Sequence, residues 1–418
     1  MIEQIIQSLN KNSIEHYLIN ETTEHSTELF FIKKNLDMRR SKDVTKYEVT
    51  IYCDFVKNDV KMRGFATCSI YPGMSDEELS KKLSDAKYSC QFACNPYFEF
   101  PEPNKEVYEN DNIYSQEDAI ANMTTALFAN DTASDCFINS AEIFVKNNQY
   151  HTISSWGTDV SYERQNIEGE FVVQCTSPED VETYQDFYYT TPDTDALSEK
   201  VRHTIYLTRQ RAIATRCNIN GSIKLIISGQ YVADLLDFYT TRASASMIYP
   251  KYSDFEKGKQ VQSSNITADS LNITLTSELP FSSEGIKMTD RTLLENGVLK
   301  NIHGPARFCH YLNITPTGPY KGIRVNAGST PLSDMETGKY LHVVNFSDFQ
   351  MDAMSGRFGG EFRLAFYSDG EKVIPLTGGS ISGSIMELAG NMKLSSEMQT
   401  LKDYAGPFAI SIDNVIVG

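Results

Sequence analysis

The sequence predicts an α+β protein, with an N-terminal α+β domain over residues 1–217 and a β-rich, barrel-like or sandwich-like C-terminal domain over residues 218–418. In the first half, segments that alternate between apolar and polar residues are interleaved with capped helices. After residue 217 glycine, serine and threonine become frequent, and short strand-like runs alternate with turns. Many short strands with glycine-rich turns are typical of a barrel or a sandwich. A chain of 418 residues also has the length of two or three domains.

The first elements follow from apolar spacing and capping residues. Isoleucines and leucine at residues 2, 5, 6 and 9 have helical spacing. The segments 25–34, 46–57 and 60–71 alternate as strands do, and the third ends at a Pro-Gly turn. Ser75 followed by three acids predicts a capped helix through roughly Cys94. A second capped helix is predicted from Ser115 to Asn130.

Farther along, a helix is predicted from about Thr194 to Cys217, with an apolar stripe suited to docking on a sheet. A strand that is apolar except for Lys224 follows at residues 223–227, and a short helix at residues 230–241. Short strands then continue to the C-terminal run that begins at Phe408.

The charge balance argues against direct nucleic-acid binding. Lysine and arginine number 38 against 55 aspartate and glutamate, for a net charge of −17. Such a surface repels phosphate backbones, whose binding depends on clustered basic residues. No window approaches the roughly 20 apolar residues that cross a bilayer, and Glu3 stands where a signal peptide is basic. The sequence therefore predicts a cytoplasmic location and no membrane association.

Eight cysteines are scattered along the chain without a disulfide-like framework, so we expect reduced, mostly buried thiols. Cys90 and Cys94 are four residues apart on a predicted helix. Half of a metal site is the alternative, but no second pair of Cys or His lies nearby in the sequence. Two core thiols on one helix face are the favoured interpretation.

Several segments of the C-terminal half resemble motifs of the TldD/PmbA family, whose members are described as modulators of DNA gyrase and as zinc peptidases. They are PFSSEGI at 280–286, RTLLENGVLK at 291–300, TPTG at 315–318, MSGRFGGEF at 354–362, ISGSIMEL at 381–388 and the closing segment 406–418. The segment 63–67 agrees more loosely. The order of these motifs is consistent along nearly the whole chain.

The resemblance implies a cytoplasmic, usually dimeric protein with an α+β N-terminal domain and a β-rich C-terminal domain. Some family members carry zinc and cleave unfolded peptides, and zinc-free members pair with them. The partners expected for this chain are a second copy or a zinc-bearing family member, and an unfolded peptide. Direct nucleic-acid binding is not expected.

Active members of the family carry an H-E-x-x-x-H helix after the apolar strand and a ligating cysteine near the C-terminus. Zinc held by these ligands keeps one position open for a water molecule that the glutamate activates. Alignment by eye places Asp237, Phe238 and Arg242 in the first His, the Glu and the second His positions. No cysteine follows Cys309. The resemblance therefore implies a degenerate peptidase domain with no catalytic residue, no metal and no cofactor.

Two other functions stay open. The chain could be a metallopeptidase with a non-standard site, built on Asp237 and Glu284, or a non-enzymatic protein that binds peptide or self-associates. Glu284, Gly285, Thr317 and Gly318 are candidates for a peptide groove. For Glu284, a turn acid that bonds local backbone amides is an equally good interpretation.

Overall fold

The α+β class predicted from the sequence is confirmed by the structure, a computed structural model that describes residues 1–110 and 112–418. The elements of the first half are α1 (Ile2–Lys11), β1 (His16–Ile32), β2 (Asn35–Lys57), β3 (Val60–Ile70), α2 (Asp76–Cys90), β4 (Lys105–Tyr108), α3 (Gln116–Phe128), β5 (Cys136–Ser154), β6 (Asp159–Cys175), β7 (Val181–Tyr189) and α4 (Thr194–Ala212).

The second half begins with β8 (Thr215–Arg216), β9 (Gly221–Ser228), α5 (Gln230–Arg242), α6 (Ala245–Ile248), β10 (Ile273–Thr276), β11 (Arg291–Glu295), β12 (Val298–Leu299), α7 (Ala306–Tyr311), β13 (Gly322–Val325) and α8 (Leu332–Met335). It continues with β14 (Lys339–Met351), β15 (Arg357–Asp369), β16 (Val373–Thr377), β17 (Gly379–Ser384), α9 (Ile385–Leu388), a 3-10 turn (Ala389–Asn391), β18 (Lys393–Leu394), β19 (Met398–Leu401), β20 (Tyr404–Pro407) and β21 (Ala409–Val417).

The first half is built on one long sheet in the order β3-β2-β1-β5-β6, with β4 and β7 both paired to β6. Its helices cover the sheet in two pairs. Residues of α1 and α2 pack with β2 in one apolar cluster, and residues of α3 and α4 pack with β5 and β6 in another. The apolar side chains alternate along each strand because successive residues point to opposite faces.

Several sequence predictions for this half are confirmed, and three are wrong. The helix predicted from about Thr194 to Cys217 ends at Ala212, before strand β8. Ser75 caps α2 in a capping box with Glu78, as the serine followed by acids predicts. The helix ends at Cys90, so Cys94 lies beyond it and is exposed, while Cys90 is buried. The expectation that all thiols are reduced is also wrong. Cys136 and Cys175 face each other on β5 and β6 and form a disulfide.

The second half contains a closed ring of strands, β14-β9-β21-β17-β15, which returns to β14. The barrel-like alternative of the sequence analysis therefore describes this part of the molecule. A separate sheet has the order β12-β11-β10-β13-β20-β19. Helix α5 packs its apolar side chains into one core with strands of both sheets. The domain boundary near residue 217 stays a prediction; β8 already pairs with β16 of the second half.

Polar contacts connect the two halves directly. Arg307 donates to the Asn95 side chain at 2.9 Å, and Lys287 pairs with Glu106 at 2.8 Å. Across the described residues, no helix has both the length and the apolar character to cross a membrane.

Candidate functional site

Helix α5 forms one wall of a large cleft. Strand β9 turns sharply into the helix at Gly229, whose φ of +70° suits glycine. Val232, Leu235 and Tyr239 are fully buried, and this apolar face packs toward the ring of strands. The opposite face, which includes Asp234 and Asp237, lines a cleft of about 980 Å³.

The other walls come from distant parts of the sequence. Strand β7 and the start of α4 contribute Asp186, Tyr188 and Lys200, and the β19–β20 hairpin contributes residues 400–404. Within the described part of the chain, β7 and β19 are each paired on one side only, so both are edge strands of their sheets. The cleft therefore lies between two strand edges and one helix.

The three degenerate positions have different environments. Asp237 faces the cleft and accepts a hydrogen bond from the Thr241 hydroxyl at 2.9 Å. Phe238 is 3% exposed and packs against aromatic neighbours in the core. Arg242 is also buried, and its Nη1 donates to the carbonyl oxygens of Ala353 and Met354, both at 3.0 Å. Its Nη2 pairs with Asp254.

His303 is the histidine that lines the cleft, and both of its ring nitrogens are engaged. Nδ1 accepts from the Tyr320 amide at 3.3 Å, so Nε2 carries the proton and donates to the Thr240 carbonyl at 2.9 Å. Burial lowers the pKa of His303, which agrees with a neutral imidazole.

The four residues predicted to form a peptide groove lie near one another but do not line this cleft. Glu284 accepts from the Ala306 amide at the start of α7, at 2.9 Å. This amide lies 22 residues away in the sequence, so Glu284 is not a local turn acid. Thr317 accepts from the Gly304 amide at 3.1 Å and donates to the carbonyl of Gly318 at 2.9 Å.

Gly285 packs closely against Thr158, a residue of the first half of the chain. Its φ is +74°, and a Cβ atom added to it would lie 2.3 Å from Cγ2 of Thr158. Glu284, Gly285, Thr317 and Gly318 thus surround the start of α7 near the contact between the two halves. Their role in a peptide groove stays a prediction.

Four carboxylates and three lysines line the cleft, and three of the carboxylates belong to α5 and β7. Desolvation by the walls, together with the carboxylates of Asp237 and Asp186, raises the pKa of Asp234 to about 6. Asp234 still reaches the solvent inside the cleft. Outside this cleft, burial and the neighbouring Asp403 raise the pKa of Glu278 to about 7.

A domain profile decides the family. The profile of the PmbA/TldA metallopeptidase C-terminal domain matches residues 220–418. The chain belongs to the TldD/PmbA family. A search of curated proteins finds no sequence relative.

Solved structures with a similar fold match this chain along its full length. TldE from Thermococcus kodakarensis is 15% identical with a TM-score of 0.77, and the alignment covers 100% of this chain and 99% of that one. A proposed modulator of DNA gyrase from Thermotoga maritima is 13% identical with a TM-score of 0.76, covering 100% and 99%. Another from Bacteroides thetaiotaomicron is 12% identical with a TM-score of 0.74, covering 100% and 98%. At these identities the likeness concerns the fold.

The TldD/PmbA helix of this chain does not fit a zinc ion. Phe238 offers no donor atom, and the fixed positive charge of Arg242 repels a cation. His303 has no free nitrogen. Among residues 1–110 and 112–418, no three His, Cys, Asp or Glu side chains are grouped to hold a metal. The pairing of Asp237 with Glu284 in a non-standard site gains no support, since Glu284 does not line the cleft of Asp237.

A second group of interacting side chains, Ser228, His342 and Glu336, was not predicted from the sequence of this TldD/PmbA chain. His342 Nε2 lies 2.9 Å from the Ser228 hydroxyl, and its Nδ1 lies 2.7 Å from Glu336. These are the distances of a Ser-His-acid triad. Both Ser228 and His342 are at most 5% exposed. A serine buried to this extent cannot reach a substrate carbonyl, so these bonds serve to satisfy a buried histidine.

Sequence reasoning also missed the carboxylates that accompany Asp237. Asp234 could have been found, because it lies three residues earlier on the polar face of an otherwise apolar helix. Asp186 and Asp403 could not, because only the folded chain brings β7 and the β19–β20 hairpin to α5.

Proposed function

We propose that this chain is a non-catalytic, zinc-free subunit of a TldD/PmbA-type peptidase complex that degrades or processes unfolded peptides. In this proposal it binds peptide in the cleft beside α5, and it pairs with a second copy or with a zinc-bearing family member in the cytoplasm. The observation that carries the proposal is Arg242, a buried cation in a position that the family resemblance assigns to a zinc ligand.

A buried arginine at this position supports the loss of catalysis more strongly than a small side chain without a ligand atom would. Its guanidinium is held by the Ala353 and Met354 carbonyls, so it cannot swing away to admit a metal without breaking two hydrogen bonds. Phe238 replaces the residue that would activate water, and its ring is part of the core. Peptide hydrolysis by this chain alone therefore lacks both the metal and the base.

The cleft supports the retention of peptide binding. Its volume of about 980 Å³ has room for several residues of an extended segment. Strands β7 and β19 border it, and each ends its sheet within the described residues. An extended peptide can add to such an edge through main-chain hydrogen bonds.

The test uses the purified full-length chain and a fluorescein-labelled unfolded peptide, such as a reduced and alkylated fragment of casein. Fluorescence anisotropy measures binding, and mass spectrometry measures cleavage, each with and without added Zn²⁺. We expect binding without cleavage, and cleavage only after a zinc-bearing family member is added. Robust cleavage by the lone chain would overturn the proposal, as would the absence of any peptide binding.

A further inference from the structure

We propose that the cleft beside α5 selects peptides with a basic side chain, a lysine or an arginine, which lies along the α5 face between Asp234 and Asp237. This inference rests on the proposed function, because it names the class of peptide that the cleft takes. Three carboxylates that form no salt bridge line the α5 side of this cleft.

Asp234 and Asp237 are three residues apart on α5 and therefore project from the same face, with Cβ atoms about 5–6 Å apart. Asp186 reaches the same space from β7. Among the described residues no lysine, arginine or histidine nitrogen forms a salt bridge with any of these three carboxylates, within the 4.0 Å that defines one. Only Asp237 has a side-chain hydrogen bond, which it accepts from the neutral Thr241 hydroxyl. Lys200 lies close enough to Asp186 to interact with it electrostatically, so the uncompensated negative charge on this face belongs to Asp234 and Asp237.

An orphaned hydroxyl continues the same stripe of the helix. Thr240 follows Asp237 by three residues, lines the cleft and is only 2% exposed. Its Oγ1 finds no hydrogen-bond partner in the part of the chain that the structure describes. Buried polar atoms are almost always paired, so an unpaired one in the wall of a cleft points to a ligand that completes it. Asp234, Asp237 and Thr240 together offer acceptors over two turns of helix.

The acceptors fit an organic cation better than a metal ion. No group of three or more His, Cys, Asp or Glu side chains within residues 1–110 and 112–418 could hold a metal. An ammonium or a guanidinium instead carries several N–H donors that two carboxylates and a hydroxyl can share. Its aliphatic stem can lie against the ring of Tyr189, which also lines the cleft.

The cations already present lie on the other walls of the cleft. Lys200 donates to the backbone carbonyl of Asp186, and Lys402 places its Nζ 4.6 Å from the centre of the Tyr188 ring. Lys321 is exposed on the segment before β13. The remaining carboxylate, Asp403, lies beside Glu278 rather than beside α5. The raised pKa of Asp234, about 6, reflects the crowded negative charge on the α5 side.

The experiment compares three peptides that are identical except at one central position, which is lysine, arginine or norleucine. Binding to the full-length chain is measured by fluorescence anisotropy at pH 7.5. We expect the norleucine peptide to bind at least about tenfold more weakly, the change that accompanies loss of one charge-assisted hydrogen bond. Asp234→Asn and Asp237→Asn should each reduce this preference. Glu371→Gln is the matched control, since Glu371 is an exposed acid that does not line the cleft.

The proton that Asp234 releases when a cation binds gives an independent test. A bound cation lowers the pKa of Asp234, so binding at pH 6 should release protons, and the Asp234→Asn variant should release fewer. Calorimetry in two buffers of different ionisation enthalpy measures this release. Equal binding of all three peptides would overturn the basic-side-chain preference while leaving the proposed function standing. Absence of binding by every peptide would overturn both.

Discussion

Replacement of Arg242 by methionine tests whether the residue in the family's ligand position is part of the folded core. The change removes a buried cation whose Nη1 donates to the carbonyls of Ala353 and Met354. Hydrogen bonds from a charged donor contribute about 1.5–3 kcal/mol each. The ring of Phe255, whose centre lies 5.1 Å from the guanidinium carbon, adds a smaller cation–π attraction.

Relief of the desolvation of the buried charge offsets part of this loss, so we expect Arg242→Met to lower the free energy of unfolding by about 3 kcal/mol. For a unit the size of the C-terminal half, this corresponds to a decrease in Tm of about 6–12 °C. Circular dichroism of the strand signal during heating measures the shift. The single tryptophan, Trp156, lies in the first half and gives a separate fluorescence signal for that part.

Asp254→Asn is the matched control for this prediction. The Asp254 side chain is 77% exposed, so its ion pair with Arg242 is screened by solvent, and its loss should change stability by less than about 1 kcal/mol. An Arg242→Met variant as stable as the parent protein would refute the reasoning. So would an Asp254→Asn variant that is equally destabilised, because the stability would then come from the exposed pair.

Three further changes test other parts of the structure. His342→Leu removes a buried ring that bonds a hydroxyl and a carboxylate, and we expect a loss of about 2–4 kcal/mol in urea unfolding; a neutral result would contradict its structural role. Glu278 has an ordinary pKa of 4.5 and about 7 in the folded protein, so the folded state holds its proton longer and stability falls as pH rises through this window. The variant Glu278→Gln should lose less stability between pH 5 and pH 8, and parallel pH profiles would count against the burial of this carboxyl. Gly285→Ala places a Cβ atom against Thr158 at a positive φ and should lower stability by about 1–3 kcal/mol. Thr158→Ser, which removes the clashing methyl group, should recover part of that loss in the double variant, and strict additivity would argue against the contact.

Elements whose signal is local could be predicted from the sequence. The capping box at Ser75 and the apolar strand before α5 were found because the spacing of a few neighbouring residues defines them. The end of α2 was misjudged by four residues, because Cys94 continues the helical spacing although the chain has already turned at residue 91. The disulfide between β5 and β6 was missed because its two cysteines are 39 residues apart and meet only through strand pairing.

The surroundings of Arg242 show what the sequence alone cannot predict about this helix. The sequence shows directly that no H-E-x-x-x-H motif is present. The side chain of Arg242, however, extends from the last turn of α5, where a cation also stabilises the negative end of the helix dipole. The carbonyls that hold it belong to residues 353 and 354, more than 100 positions later. The Arg242 side chain thus connects α5 to the segment between β14 and β15 through contacts that no local pattern encodes. Asp237, five residues earlier, remains open to the cleft. The two ends of this segment therefore differ in their surroundings, since hydrogen bonds fix Arg242 in the core while Asp237 lies open to the cleft.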